Sequence, residues 1–501
     1  MASPSPSSSL TFTVRRCEPE LVPPALPTPH EIKLLSDIDD QLGLRFHVPL
    51  IQIYRKQASM GERDPVEVLR QALSQTLVFY YPFAGRLREG PHRKLMVDCT
   101  GEGVMFIQAH ADVTLDQFGD FLQPPFPCFH ELLYDVPATQ QLTNTPLLLV
   151  QVTRLKCGGF ILAIRLNHTM SDGHGLSLFL NAWAEMARGA SKPSIAPVWR
   201  RELLMARDPP RITCKHHEYE QIQDTLTSSN QNLVHRSFFF GPVDIAALRG
   251  LIPQHLQHCS TFDMITACFW RCRTKALRIE ADEDVRMMVI VNARARFNPP
   301  LPVGYYGNGF AYPAAITKAG KLCGNPFGYA VELINKVKGE VTEEYMHSVA
   351  DLMVTKGRCL FTTVGSCIVS DLSRAKLREV DFGWGEAVYG GVAQGGAGEF
   401  PAVTFFNPVK NEKGEECIVF PIWLPAEAME RFAKEFNAML SHQNQPQRSS
   451  AMFIRIILSV SMCQHSFLEK KRCRTLFHLK DAFKRAVKHK RDKNKIILSL
   501  K

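Results

Sequence analysis

Strand-like and helix-like segments alternate along both halves of this chain, and a stretch rich in Pro and His separates the halves. Alternating elements bury their apolar faces as helices packed on sheets, so the pattern implies an α/β architecture. In the first block, Leu147-Leu148-Leu149-Val150-Gln151-Val152 and Phe160-Ile161-Leu162-Ala163-Ile164 flank Cys157-Gly158-Gly159. Two β-rich runs around a Gly-Gly turn predict a hairpin, and His168 follows the second run. Leu176, Phe179, Leu180, Trp183 and Ala187 then keep helical spacing as far as Gly189, which predicts a helix ended by that glycine. Pro193, Pro197, Pro209, Pro210 and the polar run His216-His217-Glu218 read as linker. The second block opens with Ser237-Phe238-Phe239-Phe240 and holds a predicted helix near Ser260 to Lys275 and a strand over Val285 to Val291. The 501 residues exceed what one core usually holds. The expected organisation is therefore an N-terminal domain over 1–188, a crossover linker over 189–233, a C-terminal domain over 234–440 and a basic, disordered tail over 441–501.

The net charge of +10 does not mark a nucleic-acid-binding body. Residues 441–501 contain 15 Lys+Arg and 3 Asp+Glu, a net of +12, which leaves −2 for the first 440 residues. Lys470-Lys471-Arg472 and the run from Lys484 to Lys495 make this tail weakly amphipathic. It reads as a poorly ordered extension, the alternative being a helix for a membrane surface or a partner. No apolar run reaches the roughly 18 residues of a membrane-spanning helix; the nearest, Met452 to Met462, contains Arg455. The N-terminus lacks the charged start and apolar run of a secretory signal. The 14 cysteines, scattered from Cys17 to Cys473, show no zinc-ligand spacing. They read as buried thiols in a reducing compartment, so the expected location is the cytoplasm, with no metal and no nucleic-acid partner.

Two segments carry chemistry. His168-Thr169-Met170-Ser171-Asp172-Gly173 sits in a strand-to-helix loop, where a rigid scaffold can present reactive groups. A chance HxxxDG turns up once in roughly twenty chains of this length, so spacing alone leaves a strand-capping His as an even alternative. Asp381-Phe382-Gly383-Trp384-Gly385 is far rarer, on the order of 10⁻⁴ per chain. Asp-Phe-Gly also occurs in protein kinases, but no HRD loop or VAIK strand accompanies it here. Two glycines around an indole suit a tight structural loop.

Together, in this order and about two hundred residues apart, these segments resemble the plant BAHD acyltransferase family. Leu35-Ser36-Asp37-Ile38-Asp39, Tyr80-Tyr81-Pro82-Phe83-Ala84-Gly85-Arg86-Leu87 and Tyr305-Tyr306-Gly307-Asn308 support the resemblance, which covers roughly Leu10 to Leu440. Arg207-Asp208-Pro209-Pro210 and His216-His217-Glu218-Tyr219-Glu220 are similar to the branch that makes volatile and benzoyl-type esters. The resemblance implies two similar chloramphenicol-acetyltransferase-like domains, each a mixed β-sheet flanked by helices, joined by a long crossover loop. It implies that His168 is the general base. Asp172 would turn away from substrate to pair with an arginine of the second domain, Arg294 first and Arg296 as the fallback. Asp381, sometimes counted as catalytic in the family, would lie with Phe382, Gly383, Trp384 and Gly385 in a loop that stays outside the reaction centre yet is needed for activity; we read it as structural, like Gly173. Ser260-Thr261-Phe262-Asp263 resembles a segment near the pantetheine arm of coenzyme A, and it also reads as a helix N-cap. His174, where close relatives carry Pro or a small residue, reads as a solvated loop residue.

The chemistry fits this resemblance. A His near its reference pKa of about 6.5 can accept the proton of an alcohol as its oxygen attacks a thioester. The leaving thiolate needs no strong acid. No GxSxG nucleophile elbow is present, so the expectation is direct transfer from acyl-CoA, as co-substrate rather than bound cofactor, to a small alcohol in a ternary complex on a monomeric enzyme. A CoA thioesterase and a non-catalytic binding protein on the same fold are the alternatives.

Overall fold

The computed structural model describes residues 10–119, 122–135, 142–222, 232–396 and 400–441. The basic tail and the Met452 to Met462 run lie outside the described residues. Among those described, the chain is organised on two mixed sheets. The first has the order Val14–Arg16, Val104–Ala111, Leu148–Arg154, Phe160–Asn167, His47–Tyr54 and Tyr389–Val392, with Glu20–Val22 also paired to Val104–Ala111. The second runs Leu233–Phe240, Glu416–Pro425, Val403–Lys410, Ser366–Asp371, Asp284–Val289, Ala314–Lys318. Parallel neighbours in each (Val104–Ala111 with Leu148–Arg154; Ser366–Asp371 with both Asp284–Val289 and Val403–Lys410) make both sheets mixed.

The hairpin forms with Leu148 opposite Leu166 and Arg154 opposite Phe160, and Gly158 takes the left-handed φ of +80° that its turn demands. Both strands are buried almost throughout, which is why they read as continuous apolar runs rather than alternating ones. The helix that follows spans Gly173–Ala187 and lays Leu176, Phe179, Leu180 and Trp183 into the first core, where Trp183 Nε1 donates to Leu69 O at 2.9 Å. The strand expected over Val285 to Val291 divides: Asp284–Val289 stays in the second sheet, and Val291–Asn292 pairs instead with Phe310–Ala311.

Three features depart from the sequence reading. The stretch read as polar linker is woven into the interior: Arg201, Leu204, His216 and Glu218 are all buried. His216 Nε2 lies 2.8 Å from Ser348 Oγ, and Glu218 accepts from Tyr345 Oη at 2.5 Å, so its polar groups are paired rather than solvated. Second, the short strand Tyr389–Val392 leaves the C-terminal half and joins the edge of the first sheet beside His47–Tyr54. Gly390 and Gly391 permit this; a Cβ at Gly391 would lie 2.4 Å from Asn407 Oδ1. Third, not all cysteines are interior: Cys17 and Cys157 are exposed, and no disulfide forms among the described residues. Cys268 and Cys272 do share one buried helical face.

Candidate active site

The hairpin delivers His168. Its strand ends in buried Asn167, whose Oδ1 accepts from the Thr169 hydroxyl at 2.7 Å and its backbone N at 3.2 Å, folding the chain into a turn. His168 N donates to Phe46 O at 2.9 Å, tying the turn to the entry of the neighbouring strand. Two phenyl rings pack against the imidazole, Phe46 at 5.4 Å and Phe310 at 5.9 Å between centroids. Its Nδ1 lies 3.1 Å from Asn308 Oδ1. Burial holds its pKa below the ordinary 6.5; its own carbonyl, the Asp172 charge, Asn308 and Asp39 pull the other way but do not offset it. The ring is therefore neutral at pH 7.

Asn308 is held in turn. Its side-chain nitrogen donates to His168 O at 2.8 Å and to Asp39 Oδ1 at 2.8 Å, and its backbone N reaches the same Asp39 oxygen at 2.9 Å. The other Asp39 oxygen receives Ser36 N at 3.1 Å and Ser36 Oγ at 2.6 Å. Arg201, from the crossover stretch, brings Nη1 to 3.4 Å from Asp39 Oδ1 and donates through Nη2 to Met170 O at 2.7 Å. Its guanidinium is stacked against Trp199, Tyr305 and Tyr306 at 4.5, 5.3 and 5.1 Å. Gly307 makes room for it: a Cβ there would lie 1.1 Å from Nη1.

The Asp172 carboxylate bonds the following helix and the second half of the chain. It caps the following helix, accepting from Gly175 N at 2.9 Å, and meets Arg294 in a two-pronged pair at 2.8 and 2.9 Å. Gly309 N adds a third donor at 3.0 Å. Burial alone would raise this carboxyl, but the Arg294 charge and these donors outweigh it and hold the pKa below the usual range. Arg294 is the arginine in contact with it; Arg296 is exposed. Of the two glycines beside Asp172, Gly175 is the constrained one. A Cβ there would lie 2.0 Å from Tyr306 O, whereas one at Gly173 would meet only Leu372 at 3.5 Å. His174 is exposed on the first helical turn.

Asp381 is not among the residues around His168. Its Oδ1 accepts from Gly383 N and Gly385 N, each at 2.7 Å, closing the loop on itself, with both glycines at positive φ. Arg188 binds the Asp381 carbonyl from the end of the post-motif helix. Phe382 packs on Trp183 and Tyr54, and Trp384 on Phe160. Phe160 begins the strand that Asn167 ends, so seven residue steps, about 23 Å at 3.3 Å each, part this loop's anchor from the His168 turn. Ser260 caps the helix Thr261–Ala276: its Oγ accepts from Asp263 N at 3.3 Å and donates to Asp263 Oδ2 at 2.7 Å, and Lys338 Nζ reaches Asp263 Oδ1 at 2.5 Å. No cluster of three metal-ligating side chains occurs among the described residues, and no described helix is long and apolar enough to cross a membrane.

The motifs around His168 and Asp381 were readable as motifs. Asp39 and Asn308 lay in segments already singled out, but nothing local says that they meet. Arg201 gave no signal at all.

The site is a buried histidine tied through Asn308 to a buried carboxylate, on a scaffold of two mixed sheets, and the comparisons place the chain among acyltransferases. The transferase family profile matches residues 12–439, and the chain belongs to that family, the BAHD group its motifs resemble. It is 62% identical over 451 residues to the benzyl alcohol O-benzoyltransferase of Petunia hybrida, covering 89% of this chain and 98% of the relative. It is 56% identical over 431 residues to alcohol acyl transferase 1 (allele GSa) of Malus domestica, covering 84% and 93%. Among solved structures, vinorine synthase aligns with TM-score 0.66 at 21% identity over 85% of this chain and 98% of that one. F. graminearum TRI101 complexed with coenzyme A and deoxynivalenol aligns with TM-score 0.62 at 16% identity over 81% and 98%. The mixed α/β, two-sheet fold is thus that of these transferases.

Proposed function

We propose that this chain is an acyl-CoA-dependent O-acyltransferase that esterifies a small alcohol such as benzyl alcohol or methanol with an acyl or benzoyl-type group. The petunia relative's alcohol and acyl group motivate the substrate class. The observation that carries the reading is His168 itself, a buried imidazole packed by the Phe46 and Phe310 rings and held at Nδ1 by Asn308 at the head of the HxxxDG segment. The imidazole takes the hydroxyl proton as the alcohol oxygen attacks the thioester carbon. The tetrahedral intermediate collapses with cleavage of the C–S bond, and the imidazolium returns its proton to the leaving thiolate, releasing ester and free coenzyme A.

In this reading Asp172 and Arg294 brace the motif turn, Gly173 opens its helix, and Asp381 to Gly385 form a loop that supports the first core. Acyl-CoA is the co-substrate, without a separate bound cofactor, and its pantetheine arm is assigned to the neighbourhood of Ser260 and Thr261 on the resemblance of that segment. The chain acts as a monomer, and its free cysteines support a cytoplasmic site of action. Incubation with benzoyl-CoA, with and without benzyl alcohol, tests the reading. Benzyl benzoate that forms only with alcohol supports it. Thiol release independent of alcohol identifies a thioesterase, and no turnover across a panel of acyl-CoAs and alcohols identifies a non-catalytic member of the fold.

A further inference from the structure

We propose that Asp39 is a positioning residue for His168: acting through the Asn308 amide, it fixes the imidazole as the Nδ1–H tautomer and leaves the Nε2 lone pair free for the alcohol proton. This rests on His168 being the general base.

Which end of an amide is nitrogen has to be inferred from its partners. Around Asn308 those partners decide it. Two oxygens face its side-chain nitrogen, the His168 carbonyl and Asp39 Oδ1, each at 2.8 Å. The carbonyl can only accept. The Asp39 carboxylate is fully buried and ringed by donors: two N–H groups of Asn308, the backbone N and hydroxyl of Ser36, and the Arg201 guanidinium. It therefore acts as an acceptor throughout. Turning the amide over would set oxygen against both oxygens, so the NH₂ is held toward them and Oδ1 is held toward His168 Nδ1 at 3.1 Å. An oxygen acceptor at that distance requires Nδ1 to carry the hydrogen, and a neutral imidazole with Nδ1–H has its lone pair on Nε2. Three segments far apart in sequence thus define one tautomer, and Arg201 supplies the positive charge that lets a carboxylate stay buried beside them.

The tautomer can be read without substrate. In full-length protein labelled with [¹⁵N]histidine, long-range ¹H–¹⁵N correlation gives the pattern of each ring, and His168 is assigned by the signal lost in His168→Gln. The wild-type ring is expected as Nδ1–H; an Nε2–H pattern overturns the proposal. Asp39→Asn removes the acceptor-only partner, so Asn308 can turn over. The expected result is a shift toward Nε2–H with kcat reduced about 10²-fold or more and KM for benzoyl-CoA changed by less than about threefold, since the carboxylate touches no substrate. A folded Asp39→Asn enzyme with the wild-type tautomer and kcat overturns the role of Asp39. If that variant does not fold, Asn308→Ala keeps the Asp39–Arg201 pair and removes only the relay; an unchanged tautomer and kcat there overturn the proposal equally. Because the ring pattern is independent of turnover, a failure of the acyltransferase reading would show as absent ester with the tautomer intact.

Discussion

Replacing Asp172 with Ala should unfasten the motif turn. The wild-type carboxylate faces Arg294 through two hydrogen bonds, and both side chains are less than a tenth exposed. Removing one partner of a buried pair typically costs about 3–5 kcal/mol, because the remaining charge is left buried and unpaired. The same carboxylate caps the helix Gly173–Ala187 through Gly175 N, which adds about 1 kcal/mol. For the roughly 410 described residues at about 2.1 cal/mol/K each, the unfolding entropy is ~0.9 kcal/mol/K, so a loss of about 4–6 kcal/mol lowers Tm by about 5–7 °C if the body unfolds as a unit. Scanning fluorimetry at pH 7 reads this directly. The sign of the pH dependence follows from the depressed pKa of Asp172. Its contribution is fully present above the unfolded carboxyl's pKa of about 3.9 and is lost as pH falls through the folded value. The gap between wild type and variant should therefore be constant at pH 5 and above and narrow below about pH 4. An Asp172→Ala protein within 1 °C of wild type at pH 7 would refute the reasoning.

Gly175→Ala should fold poorly or lose most soluble yield, because the new methyl meets Tyr306 O at 2.0 Å, while Gly173→Ala should stay within about 1 kcal/mol of wild type in chemical denaturation. Equal behaviour of the two would contradict the crowding argument. The acidic limb of the kcat/KM profile should have its midpoint below pH 6.5, since His168 must be neutral to take a proton and burial lowers its pKa from the ordinary value; a midpoint above pH 7 would count against the site's burial. The family match ends at residue 439, so a chain ending at Ser441 should retain ester-forming kcat/KM within about twofold; lost activity would assign the basic tail a function.

What could be read in the sequence was what is local. His168 and Asp172 lie four residues apart on one turn between a strand and a helix, and Asp381 to Gly385 close a loop with their own backbone. In both cases the neighbours in space are neighbours in the chain. The hairpin and its helix were readable for the same reason. Asp39, His168 and Asn308 meet across intervals of well over a hundred residues, and no periodicity encodes that meeting. Arg201 was hidden by its surroundings: a Pro-rich stretch suggests solvent, and an arginine buried under Trp199, Tyr305 and Tyr306 contradicts what composition leads one to expect. The strand Tyr389–Val392 was invisible because two of its four residues are glycines, which weaken the strand signal and yet are what allows the backbone to approach Asn407 and the 377–378 turn.

The central claim is that His168 removes the proton from the alcohol. It is tested by measuring benzyl benzoate formation from benzoyl-CoA and benzyl alcohol with purified wild-type and His168→Ala proteins of matched thermal stability. The account predicts a fall in kcat of about 10²–10⁴-fold with little change in KM. An unchanged kcat in the folded variant would contradict it.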